Sequence, residues 1–106
     1  MIDFKKLIKY SEKGILSKEL EIGEEINLTL FCMGKGTEIS DHTSTKNGFI
    51  YVIEGKGIFN LKGKEIKMLP NVLISFKKKA IHSLKVEKDT SFLLFLFNLN
   101  ERKKTK

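Results

Sequence analysis

Apolar and polar residues alternate with a period of two along most of this chain, the spacing expected of half-buried strands. Over residues 24–33, Ile26, Leu28, Leu30 and Cys32 fall on one side, and Asn27, Thr29, Phe31 and Met33 on the other. Large apolar residues stand on both sides near the end of that run, so cover on both faces is expected there. Similar patterns predict strands over 14–20, 49–54, 58–61, 66–69, 72–76, 82–86 and 92–99. Gly34 and Gly36 break the pattern, and the polar segment that follows to Lys46 reads as a loop. Gly55-Lys56-Gly57 and Lys62-Gly63-Lys64 are turn signals, and Pro70 falls between two strands, where a missing N–H does no harm.

Residues 1–13 carry Phe4, Leu7 and Ile8 on one face, the mark of a short helix or an arm that ends at Gly14. The run Phe92 to Phe97 is apolar at every position. Alternation puts Phe92, Leu94 and Leu96 on one face and Leu93, Phe95 and Phe97 on the other. A small barrel covers only one of those sets, so the other needs the N-terminal arm or a second subunit. Eight or nine short strands with frequent turns predict an all-β chain, a sandwich or a single-domain antiparallel jelly-roll barrel over 14–99. Residues 100–106 form a basic tail. No segment is long enough for helical crossovers, which excludes parallel α/β folds.

A length of 106 residues allows one domain with a modest core. No apolar run approaches the roughly 20 residues of a membrane span, so no membrane association is expected and the cytoplasm is the default location. One cysteine, Cys32, excludes an internal disulfide. The net charge of +7 is spread along the chain, and no helix-turn-helix, RNA-binding or zinc-finger spacing accompanies it. Nucleic acid is therefore not the expected partner. Lys77-Lys78-Lys79 reads as a solvated loop.

Chemistry concentrates around two histidines, His42 and His82, the only ones present. Folding of the strands around them allows a metal site, a polar end to a ligand pocket, or two hydrogen-bonded interior rings. Cys32 reads first as a small buried apolar residue, and Tyr51 as a core residue whose hydroxyl needs a partner. No nucleophile elbow, phosphate-binding glycine loop or HExxH motif is present.

Two motifs resemble those of the cupin family. In the first, Gly36 is followed after five residues by His42, and Gly55 stands at the closing glycine. In the second, Asn71, Lys77, Lys79 and His82 occupy the positions of glycine, proline, glycine and histidine. Residues 56–70 form the short spacer between them. The resemblance implies a jelly-roll barrel, a homodimer, and a site that in many members holds iron, manganese, nickel or zinc for isomerase or dioxygenase chemistry. Of the family's four usual ligands, His42 and His82 match, while Ser44 replaces the second histidine and the glutamate falls on Gly48. Glu38 or Cys32 is a candidate third donor, whereas Asp41, adjacent to His42 on extended backbone, faces away, and Glu54, before the turn glycine, lies on the rim. Two hypotheses follow from this depleted set. The barrel binds a small molecule in a pocket lined by His42, Ser44, Tyr51 and His82, or a metal on His42 and His82 supports an enzyme.

Overall fold

The computed structural model describes residues 1–22 and 25–98; the expected basic tail at 100–106 lies outside them. After a four-residue helix α1 (Phe4–Leu7), the described residues form nine strands. They are β1 (Ile15–Ile22), β2 (Ile26–Met33), β3 (Glu38–His42), β4 (Asn47–Glu54), β5 (Gly57–Leu61), β6 (Lys64–Met68), β7 (Leu73–Phe76), β8 (His82–Val86) and β9 (Thr90–Phe97). One sheet has the order β1-β2-β9-β4-β7 and the other β3-β8-β5-β6, and every pairing is antiparallel. This is the expected all-β jelly roll.

Met33, Ile50, Val52, Phe59, Phe76, Val86 and Phe92 fill the space between the sheets. Removing each such side chain from water contributes about 1.5–3 kcal/mol. Cross-strand neighbours Phe31 and Phe92 stack there, with centroids 5.1 Å apart and planes 7° from parallel. The opposite face of the five-stranded sheet carries a second cluster. Leu30, Cys32 and Leu93 are buried on it under Phe4, Leu7, Ile8 and Tyr10 of the N-terminal arm. The arm begins at Asp3, whose carboxylate accepts from the Lys5 N–H at 3.1 Å and caps α1. Both faces of β2 and β9 are thus covered as their sequences require, and the arm itself covers Leu93 and Phe95.

The hairpin between β5 and β6 turns on Lys62 (φ 51°) and Gly63 (φ 86°). Two consecutive left-handed residues make the two-residue turn whose twist matches that of the strands. The principal difference from expectation is β3, which occupies part of the segment read as loop. Its five residues, EISDH, hold one apolar side chain, Ile39. As an edge strand it pairs only with β8, and its outer side is solvated, so the alternation signal is lost.

Candidate functional site

β3 and β8 place the two histidines, and an irregularity makes that possible. The register runs Ile39 opposite Leu84 and His42 opposite His82, so Ser40 and Asp41 share a single partner position, that of Ser83. Residues three apart on a regular strand point to opposite faces. The extra residue of this bulge re-phases β3, and both Ile39 and His42 turn toward the interior.

The rings lie 4.1 Å apart between centroids, edge to face at 61°. His82 is 4% exposed, whereas His42 sits at the solvent side of the pair. Each ring is oriented by its own strand: His42 Nδ1 donates to the Ser40 carbonyl and His82 Nδ1 to the Ala80 carbonyl, both at 2.9 Å. A carbonyl oxygen can only accept, so Nδ1 of each ring carries a proton, which leaves Nε2 as the ring nitrogen for any further contact. Phe76 at 4.4 Å and Phe59 at 5.7 Å flank the His82 ring. Burial pushes the His82 pKa below its ordinary 6.5; the Ala80 carbonyl opposes the shift, and charge on His42 adds to it. The His82 ring is therefore neutral at physiological pH, and both rings border one region.

That region is a cavity of about 50 Å³, walled by Phe31, Ile50, Phe59, Phe76 and Phe92 besides the histidines. A wider cleft of about 800 Å³ shares one wall residue with it, Phe76. The cleft has Leu61, Ala80 and Phe97 as its apolar floor and Lys62, Lys77 and Lys78 at its edge.

The other residues expected at the site are elsewhere. Tyr51 lies on the far side of the five-stranded sheet, in the cluster beneath the arm, where its hydroxyl donates to Asn71 Oδ1. Cys32 belongs to that same cluster, and burial pushes its thiol pKa up. Neither faces the histidines, because each alternates with a residue that does face the core, Ile50 and Met33 respectively. Cys32 as a third metal donor is thereby corrected. Ser44 is half-buried in the loop after β3, with Oγ accepting from the Lys46 N–H at 3.0 Å, and does not line the cavity. Asp41 and Glu38 line a cleft on the outer face of the four-stranded sheet. Glu54 accepts a hydrogen bond from the Tyr10 hydroxyl at 2.6 Å, on the arm side.

A transition-metal site normally takes about three protein ligands. Among the described residues no group of three His, Cys, Asp or Glu side chains converges. The position of the expected glutamate has been closed as well. A Cβ on Gly48 would stand 2.7 Å from Phe76 Cζ and 2.8 Å from Leu96 Cδ2 and the Phe95 carbonyl. Apolar packing occupies the space a carboxylate would need. The residues present do not fit a resident metal.

The sequence motifs correspond to real backbone demands. Asn71 (φ 73°) and Lys79 (φ 69°), which stand at two glycine positions of the second motif, are both left-handed. A family model described as a cupin domain matches residues 29–97. The chain belongs to the cupin family. Similar folds occur in a conserved protein of unknown function from Streptococcus pyogenes, with a TM-score of 0.86 and 18% identity over 94% of this cupin and 88% of that chain. A cupin superfamily protein from Desulfitobacterium hafniense aligns with a TM-score of 0.84 and 17% identity, covering 89% of this chain and 86% of that one. KdgF from Halomonas sp. aligns at 0.72 and 17% identity, over 87% and 86% of the two chains. At these identities the likeness is one of fold. No curated protein sequence matches this cupin.

Sequence reasoning missed the lining residues Phe59 and Phe76 and the lysines of the outer cleft. The phenylalanines carry no signal beyond strand alternation. The Lys77-Lys78-Lys79 run is visible, but the sharing of one cleft by Lys77, Lys78 and Lys62 depends on how the segment after β7 meets the β5–β6 turn.

Proposed function

We propose that this cupin binds a small organic molecule at the end of its barrel, using the His42–His82 pair as the polar contact in place of a resident metal. The observation that carries the reading is the pair of imidazoles, each anchored through Nδ1, on the wall of an otherwise apolar cavity. An imidazole anchored through Nδ1–H accepts a hydrogen bond at Nε2 from a hydroxyl or N–H group when it is neutral, and orients it. A cavity of about 50 Å³ admits only a small group of such a ligand. Typical whole-ligand pockets hold roughly 300–1,000 Å³, so the body of the molecule lies in the adjoining cleft. The reading extends to a cytoplasmic homodimer. Its support is the single thiol of Cys32 and the exposed apolar side chains Ile15, Leu16 and Leu73 on the five-stranded sheet.

One observation favours a second reading, a metal-dependent enzyme of isomerase or dioxygenase type. Tying Nδ1–H to a carbonyl is also how metal-binding imidazoles are oriented. Metal analysis of protein purified without chelator, combined with a fragment screen read on the histidine ring resonances, separates the two. The first reading expects fragments that shift the His42 and His82 signals in metal-free protein, with the effect lost in His42→Ala. Stoichiometric metal that disappears in both His42→Ala and His82→Ala would sink it.

A further inference from the structure

We infer that the ligand of this cupin is an organic acid carrying a hydroxyl, with its carboxylate held by the lysines of the outer cleft and its hydroxyl directed to the imidazole pair. This rests on the functional reading above and adds the chemical class. Lys62, Lys77 and Lys78 line the cleft, and no acidic side chain does so among the described residues. The positive charge there is not a mere share of the net +7. Glu38, Asp41, Glu65 and Glu87 gather instead in a separate cleft on the outer face of the four-stranded sheet. None of the three lysines is engaged in an ion pair among the described residues, where Lys56 with Glu87 at 3.6 Å is the one such contact.

The cleft is also held in shape without a ligand. The Lys78 N–H donates to Asn47 Oδ1 at 2.9 Å, the Lys79 N–H to the Ser44 carbonyl at 2.8 Å, and the Lys62 N–H to the Ile81 carbonyl at 2.9 Å. The first two tie the lysine turn to the start of β4 and the loop before it, and the third ties the β5–β6 turn to the residue before β8, so ordering the backbone of the cleft costs little on binding. Leu61, Phe76, Ala80 and Phe97 give the cleft an apolar floor, and Phe76 also walls the histidine cavity, 4.4 Å from the His82 ring. A cationic edge, an apolar middle and a pair of acceptors suit a molecule with an anionic end, an apolar body and a donor. A bare anion leaves the floor unused, and a neutral alcohol leaves the lysines unused.

The test is titration of a panel of aromatic and aliphatic hydroxy acids and their primary amides, headed by 4-hydroxybenzoate and 4-hydroxybenzamide, followed on backbone amide resonances. The acids are expected to shift Gly48, Leu61 and Ala80 and to bind about tenfold more tightly than the amides at low salt. Added salt should shrink that advantage. Lys77→Gln/Lys78→Gln should shrink it severalfold, with Lys62 alone left at the cleft edge. Amides that bind these residues as tightly as the acids overturn this inference and leave the pocket reading standing. Inorganic phosphate that competes as well as the acids also overturns it, since the apolar floor then has no part. If neither acids nor amides bind, the inference and the pocket reading fail together.

Discussion

Gly48→Ala is the sharpest probe of the claim that packing has taken over the family's carboxylate position. Backbone preference alone argues for the substitution, because a glycine inside a strand costs roughly 0.5–1 kcal/mol relative to alanine. The structure argues against it. The new Cβ would meet Phe76 Cζ at 2.7 Å, Leu96 Cδ2 at 2.8 Å and the Phe95 carbonyl oxygen at 2.8 Å. Ordinary carbon contacts lie at about 3.5–4.0 Å, so the two side chains must retreat by most of an ångström. Phe76 has the His82 ring behind it at 4.4 Å, and the carbonyl belongs to the β4–β9 ladder. Overpacking of this sort costs about 1–3 kcal/mol, which outweighs the gain in backbone entropy. The expected net loss is about 1–2 kcal/mol, read as a lower urea midpoint. Phe76→Leu in the same background removes one of the three clashes and should recover part of the loss as a coupling energy of about 1 kcal/mol. A Gly48→Ala protein as stable as the parent, or more so, refutes the packing argument and reopens the position to a larger side chain.

Lowered by burial, the His82 pKa makes stability fall with acid. Above its ordinary 6.5 neither state is protonated and the group contributes nothing. Below it the unfolded chain takes up a proton that the folded chain resists, so stability declines until the folded pKa is passed, by at most about 1.4 kcal/mol per pH unit. Urea melts between about pH 8 and 5 should show this slope, and its persistence in His82→Phe would assign it to other groups. Gly55→Ala is expected to cost about 3 kcal/mol or more. Gly55 sits at φ 115°, and an added Cβ would lie 2.5 Å from Thr90 Cα; an unchanged melting temperature contradicts this. Lys79→Gly should instead stabilise by roughly 0.5 kcal/mol, because it relieves a left-handed lysine while adding freedom to the unfolded chain. A lower denaturation midpoint in that variant would show that the Lys79 side chain makes a contribution larger than the strain.

Strand alternation and turn residues carry local physics, and those parts of the protein could be read from the chain alone. The period of two in β2, the short apolar runs of β4 and β9, the Lys62-Gly63 turn and the double cover demanded by Phe92 to Phe97 all follow from short-range geometry and apolar content. So does the tolerance of Asn71 for a left-handed turn. The two histidines and their depleted motif were equally legible, because they needed only counting along the sequence. Tertiary structure decided the rest. On a strand covered from both sides, alternation separates two faces without saying which one meets the other sheet, so Cys32 and Tyr51 could not be assigned to the arm side in advance. The bulge that turns His42 inward sits in an edge strand with one apolar residue, where burial writes no pattern. Closure of the Gly48 position by Phe76 and Leu96, and the meeting of three lysines at a cleft that shares Phe76 with the histidine cavity, join residues from separate parts of the chain. Such proximity is created by the stacking of the sheets and leaves no trace in the order of the residues.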